Sequence, residues 1–240
     1  MKIELKHWTS ELLTLFGVWL WDKKEYGHAL LCIHGPQWGY KVSHQLKITW
    51  YDVLNSEDYE VLYELMYPDK FVMHRPIDEM AREYIEKAYQ VVKFENWEDS
   101  IYVNAKTGKP LTTSSLNREL QRFAKQFLKE LEEKSGQEIH LKPIKSNAFQ
   151  IAWALKTLER YHYSKRCFVE ISKFMGHRTL KDTTKLLGVE PFDSILYDFH
   201  GVFVEGDMTK ETLDDKQKLE KYIRLAQNDA WTRFNDNVAE

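Results

Sequence analysis

The charged side chains of this sequence are segregated in a way that suits the binding of phosphate groups. Residues 137–188 contain ten Lys or Arg and four Asp or Glu, a balance of +6. Residues 189–240 contain six Lys or Arg and twelve Asp or Glu, a balance of −6. Clustered cations attract a phosphodiester backbone, so the basic block predicts a DNA-binding surface followed by a separate acidic tail. The alternative is a chance segregation of charge on solvated faces, and the overall net charge of −3 argues weakly against nucleic acid.

The sequence lacks the motifs of several other common active sites and binding sites. There is no Ser-His-Asp arrangement, no glycine-rich phosphate loop and no metal-ligand spacing, so we expect neither a metal nor a cofactor. Cys32 and Cys167 both stand among apolar neighbours, which predicts buried, reduced thiols in a cytosolic protein. We find no signal peptide and no apolar run of about 18 residues, and we therefore expect a cytoplasmic protein without a membrane partner.

The elements that would position these residues are mostly helical. Apolar spacing predicts helices over residues 9–35, 41–46, 78–93, 148–158 and 168–175, with Gly35-Pro36 ending the first. A long helix begins at Thr112, Thr113 or Ser114 and ends at Ser135-Gly136. A hairpin is predicted over residues 59–77, and a short strand over 101–104 is followed by a turn over 106–109. Residues 209–235 are predicted to form a further polar helix. This order predicts a mostly α (α+β) domain with a small antiparallel sheet or hairpin.

Three stretches, in order, carry a family resemblance. Residues 171–184 (ISKFMGHRTLKDTT) resemble I-x-x-x-L-G-H-x-x-x-x-x-T-x-x-Y. Residues 142–149 (KPIKSNAF) resemble H-x-L-R-H-T-F-A, and residues 39–53 (GYKVSHQLKITWYDV) resemble G-L-R-I-S-E-L-L-x-L-x-W-x-D-I. These are the motifs of the tyrosine recombinases, or phage integrases. The resemblance covers about residues 5–200 and implies that family's helical catalytic-domain fold.

The resemblance implies a basic pocket. Family members bind the scissile phosphate with two arginines, use a hairpin lysine and histidines for proton transfer, and attack with a tyrosine. Position by position, the arginines correspond to Lys41 and Lys145, the first histidine to Lys142, and the glycine-paired histidine to His177. Lys70 corresponds to the hairpin lysine, with Arg75 nearby.

The nucleophile position is filled by a residue that cannot attack a phosphate. The tyrosine should stand nine residues after His177, where this chain has Leu186, and one inserted residue would make it Leu187. Tyr197 is the nearest downstream tyrosine. Lysine keeps the charge of arginine but loses the bidentate fork. The resemblance therefore implies a degenerate member of the family that is impaired or inactive as an enzyme.

The sequence leaves three functions open. The first is a DNA-binding protein whose phosphate contacts come from residues in and around the pocket: Lys41, Lys142, Lys145, His177, Lys165, Arg166 and Arg178. The second is an active integrase that cleaves and rejoins DNA with a displaced Tyr197. The third is a fold retained only for protein interaction.

Domain organisation bears on the partners. We divide the chain into a catalytic-like domain over residues 1–200 and an acidic helical tail over 201–240. The tail could dock on another copy of the chain or on a recombinase partner, or fold over the pocket. In a bacterium the protein would be associated with the nucleoid. If the chain is the full protein, its length leaves no room for the family's N-terminal clamping domain, and weak DNA affinity or dependence on a partner is expected; a shortened chain is the alternative.

Overall fold

Helices dominate the structure, a computed structural model that describes residues 2–65, 75–161 and 163–189. This confirms the mostly helical fold class. The helices are α1 (Ser10–Asp22), α2 (Tyr26–Trp38), α3 (Val42–Gln45), α4 (Glu79–Val91), α5 (Thr113–Ser135), α6 (Ala148–Arg160), α7 (Lys165–Met175) and α8 (Leu180–Leu187). Two short strands, β1 (Lys2–Leu5) and β2 (Glu138–Leu141), complete the described elements.

Helix α2 lies at the centre of the molecule. It packs against α1, α4 and α6, and almost all of its residues are buried. The approach to α6 is close, since a Cβ atom added to Gly35 would lie 2.7 Å from the Phe149 ring. A helix that is buried around nearly its whole circumference needs neighbours on several sides, and α1, α4 and α6 supply them.

The predicted single helix over residues 9–35 is wrong in two respects. The chain breaks between α1 and α2, where Lys24 adopts a left-handed φ of 62°. The Gly35-Pro36 pair does not end the second helix, because Pro36 lies inside α2 and the helix runs on to Gly39 with φ +70°. Pro36 itself is buried, and the tertiary packing around it overrides the usual helix-breaking effect of proline.

The small sheet also differs from the prediction. Strands β1 and β2 pair in parallel, with Ile3 opposite Ile139, and neither strand was predicted. Antiparallel pairing among the described residues is limited to isolated bridges, and one of these, Glu64 with Pro76, joins the two arms of the predicted hairpin over residues 59–77. The Leu65 N–H donates to the Arg75 carbonyl at 2.9 Å there. Most of the predicted hairpin tip, including Lys70, lies outside the described residues. The predicted turn after residue 104 is present, closed by the Asn104 N–H donating to the Lys109 carbonyl at 2.8 Å.

Two apolar clusters stabilise these elements. The larger is formed mainly by residues from α1, α2, α4, α5 and the loops between them, and the smaller by α6, α7 and α8. The aromatic residues of the N-terminal region belong to the first cluster, with the Trp8 and Phe16 ring centroids 5.5 Å apart. Cys32 is buried, whereas Cys167 is only half-buried, which corrects the prediction for the second thiol.

Candidate nucleic-acid interface

The first and third motifs meet at Lys41 and Gly176. Lys41 is the exposed residue immediately before α3, and Gly176 ends α7 with a φ of +71°. A Cβ atom added to Gly176 would lie 3.6 Å from the Lys41 Nζ atom. The ammonium group of Lys41 therefore stands beside the turn that carries His177, although 135 residues separate Lys41 from Gly176 along the sequence.

His177 is held between α7 and α8. Its backbone N–H donates to the Ser172 carbonyl at 3.0 Å, and its ring Nδ1 hydrogen-bonds the Thr183 hydroxyl at 2.8 Å. Thr183 is fully buried in α8, whose start is fixed by a capping box between Thr179 and Asp182. The other ring nitrogen, Nε2, forms no hydrogen bond to a described residue. One nitrogen orients the ring, and the second remains available to a ligand.

The half-buried guanidinium group of Arg75 lies beneath this turn. Its central carbon is 5.0 Å from the Trp153 ring centroid and 4.5 Å from that of Phe174. Burial lowers the pKa of Arg75, and a hydrogen bond with Tyr40 opposes that shift. Arg75 thus links Tyr40, which precedes Lys41, to Phe174 in the last turn of α7. Its Nε and Nη2 atoms are buried and have no hydrogen-bond partner among the described residues.

Lys142 adjoins the N-terminal segment that contacts the end of α8, since the Trp8 indole N–H donates to the Lys142 carbonyl at 3.0 Å. Burial lowers the pKa of His7, and the positive charges of Lys6 and Lys142 lower it further. The His7 ring Nε2 is 3.0 Å from the Leu187 carbonyl, and the Lys6 ammonium donates to the Gly188 carbonyl at 3.0 Å. Cations near the last carbonyls of a helix complement its dipole. The sequence reasoning did not single out Lys6 and His7.

The remaining predicted cations are exposed. Lys145 lies in the turn before α6, where its carbonyl accepts from the Ala148 N–H at 2.9 Å. Lys165 and Arg166 are the first two residues of α7, and Arg178 follows His177. Positive side chains at a helix N-terminus add to the positive end of the helix dipole, so the start of α7 is a place of positive potential.

Two of the predicted catalytic candidates cannot be placed, since Lys70 and Tyr197 lie outside the described residues. At the nucleophile position, Leu186 is half-buried and packs on the apolar cluster that contains the fully buried Leu187. Tyr40 lies near Lys41, but it is 3% exposed and its hydroxyl group bonds Arg75. No tyrosine with an exposed hydroxyl therefore stands at the expected position in the described structure.

The described part of the chain contains no group of three or more His, Cys, Asp or Glu residues placed to hold a metal ion. Over the same residues, none of the helices has the length and apolar character needed to cross a membrane.

Comparison with known proteins gives two solved structures of one protein. No family model and no curated protein matches the sequence. The Tn1549 transposon integrase in complex with circular intermediate DNA matches at 16% identity with a TM-score of 0.49, covering 78% of this chain and 61% of that one. A variant of that integrase in complex with transposon right end DNA matches at 16% identity with a TM-score of 0.46, covering 73% and 58%. The chain thus spans about three fifths of the structures it matches.

Arg75 is the main residue of this site to which the sequence reasoning gave no role. The family resemblance places it only near Lys70. The signal available was a single arginine at the end of a predicted hairpin. Nothing local in the sequence indicates that Trp153 and Phe174, from two later helices, would stack on its guanidinium group.

Proposed function

We propose that this chain binds duplex DNA through phosphate contacts and does not cleave it. The observation that carries the proposal is the position of the Lys41 ammonium beside the Gly176-His177 turn. Lys41 forms no ion pair with a described carboxylate, and the same holds for Lys142 and Lys145. An anionic ligand such as a DNA phosphate would supply the missing negative charge.

The residue types favour binding over catalysis. Lys41 and Lys145 offer point charges where a bidentate guanidinium would grip two phosphate oxygens at once. Losing one preorganised donor typically raises a reaction barrier by about 2.7–4 kcal/mol. With Leu186 packed into an apolar cluster, the described site lacks a nucleophile as well. The contacts we assign are Lys41, Lys142, Lys145 and His177 at the centre, with Lys165, Arg166 and Arg178 around them.

A salt titration of DNA binding tests this function. Fluorescence anisotropy with a labelled duplex should show an affinity that falls steeply as salt rises. Lys41→Gln and Lys145→Gln should each weaken binding and reduce the slope of log affinity against log salt by about 0.9, the value for one phosphate contact.

Lys47→Gln is the matched control. Lys47 is an exposed lysine six residues after Lys41, beyond the end of α3, and its removal should leave the slope unchanged. An absence of binding at low salt, or equal slopes in all three variants, would contradict the proposed function.

A further inference from the structure

A group of aromatic side chains remains at the surface of the molecule, on elements other than those of the candidate DNA site. Tyr59 is 54% exposed, and its ring centroid lies 5.6 Å from that of Trp97 and 6.1 Å from that of Tyr89. Tyr51 is 55% exposed, and its backbone N–H donates to the Trp97 carbonyl at 2.9 Å. We call residues 51–60 and 93–99, together with Tyr89, the aromatic-acidic surface.

A tight loop presents Tyr59 outward. Tyr59 has a φ of 63°, a left-handed conformation that is unusual for a residue other than glycine. Its N–H donates to the Asn55 carbonyl at 2.9 Å, and the Asn55 N–H donates to the Glu60 carbonyl at 2.8 Å. Below it, the fully buried Trp50 stacks on Phe94 with ring centroids 4.8 Å apart. The exposed ring is therefore supported by a packed layer and fixed by loop hydrogen bonds.

The charge around these rings is negative. Residues 51–60 contain four carboxylates and no Lys or Arg, and residues 93–99 contain three carboxylates and one lysine, Lys93. Those that are exposed are Glu57, Asp58, Glu60, Glu95 and Glu98. None of these five forms an ion pair with a described residue. This surface repels DNA phosphates, in contrast to the basic block of residues 137–188, and it attracts cations.

We propose that the aromatic-acidic surface binds an arginine-bearing segment of a partner protein. A guanidinium group stacks on the face of a tyrosine or tryptophan ring, and nearby carboxylates accept its hydrogen bonds. The chain contains an example of this stacking close by, since the Arg82 guanidinium lies 3.9 Å from the ring centroid of Tyr63, which is 73% exposed. The proposal is independent of the proposed function, because it uses other residues and the opposite charge.

The test uses the full-length protein and an oligoarginine peptide with blocked ends. We expect binding by calorimetry and, with ¹⁵N-labelled tryptophan, a shift of the Trp97 indole resonance on addition of the peptide. Tyr59→Ala should weaken binding by roughly three- to tenfold, as expected for the loss of one cation–π contact. Tyr161→Ala is the matched control, because Tyr161 is 56% exposed and lies outside this surface.

Charge is tested in the same way. The double change Glu57→Gln and Glu60→Gln should weaken peptide binding, whereas Glu133→Gln with Glu138→Gln should not, although both of these side chains are 65% exposed. Equal affinity in the Tyr59 and Tyr161 variants would overturn the proposal and assign the peptide to another acidic segment, such as residues 190–240. A Trp97 shift produced by duplex DNA and not by the peptide would overturn it too.

Discussion

At the residue scale, the proposal of binding without catalysis rests on lysine at the two positions where the family motifs have arginine. Lys41 reaches the Gly176-His177 turn with a flexible stem and one ammonium group. A guanidinium group at the same place would offer a planar fork that fixes a phosphate in one orientation. Charge is enough to hold a phosphate, whereas catalysis also needs that orientation and a nucleophile.

Replacing both lysines with arginine should therefore strengthen DNA binding without producing DNA cleavage. We expect Lys41→Arg with Lys145→Arg to tighten duplex binding by roughly threefold or more through bidentate contacts. Incubation with a nicked duplex followed by denaturing electrophoresis should show no covalent protein–DNA adduct in either protein. An adduct that disappears in Tyr197→Phe would support the alternative of an active integrase with a displaced tyrosine.

Buried histidines give the protein a dependence on pH at the residue scale. His34 is fully buried, 3.1 Å from the Tyr102 hydroxyl, and burial lowers its pKa to about 3. In the unfolded chain a histidine takes up a proton near pH 6.5, so between pH 6.5 and 3 the unfolded state binds more protons than the folded state. The protonation of His34 therefore has no effect on the free energy of unfolding well above pH 6.5 and lowers that free energy as the pH falls below 6.5.

The expected loss from His34 is about 1.4 kcal/mol of unfolding free energy for each pH unit below 6.5. Urea unfolding at pH 7, 6 and 5 measures it. His34→Gln should lower stability at every pH and make its fall with acidity shallower by that amount. An unchanged slope in the variant would show that His34 does not carry this dependence.

At the scale of elements, two helix ends set the geometry of the site. Helix α2 ends at Gly39 and α7 ends at Gly176, both in left-handed conformations, and Lys41, two residues after Gly39, places its Nζ atom beside Gly176. Trp153 on α6 packs directly on Gly39, where an added Cβ atom would overlap the ring. The same ring stacks on Arg75. The site is thus built where α2, α6 and α7 come together.

Gly39→Ala should disrupt this junction. A left-handed alanine costs about 1 kcal/mol, and overlap with the Trp153 ring should add ~1–3 kcal/mol. Gly136→Ala is the control, since Gly136 has a similar φ of +66° with nothing within 4 Å of the added Cβ. The unfolding temperature and the DNA affinity should both fall more in Gly39→Ala than in Gly136→Ala. Equal losses in the two variants would contradict this role.

At the scale of the whole molecule, positive and negative charge are concentrated in different regions of the chain. The basic block of residues 137–188 includes α6, α7 and the Gly176-His177 turn. The aromatic-acidic surface carries exposed carboxylates. The acidic residues 190–240 lie outside the described structure. Whatever their arrangement, a segment with a balance of −6 attached to the proposed DNA-binding domain would lower its attraction for a polyanion.

Removal of residues 190–240 should therefore tighten DNA binding. We expect a gain of several-fold at low salt that vanishes near 1 M salt, where the Debye length is about 3 Å. Anisotropy at both salt concentrations measures it, with circular dichroism to verify the fold. Unchanged affinity at low salt would show that these residues neither shield nor repel DNA.

The sequence determined the features that depend on neighbouring residues. Helix α5 was predictable because Leu116, Leu120 and Phe123 repeat at helical spacing between Thr112 as cap and a glycine stop. The turn over residues 106–109 and the basic block were predictable for the same reason. The order of the motifs also predicted a relation between Lys41 and His177, without showing how they would meet.

Only the tertiary structure decided the features that depend on residues far apart in the chain. The parallel pairing of β1 with β2 joins segments whose short length gives no clear periodic signal. Pro36 continues a helix because its surroundings bury it on every side. Arg75 lies beneath the Lys41 turn because two aromatic rings from α6 and α7 stack on it, and a local sequence pattern does not encode a contact between residues 75, 153 and 174.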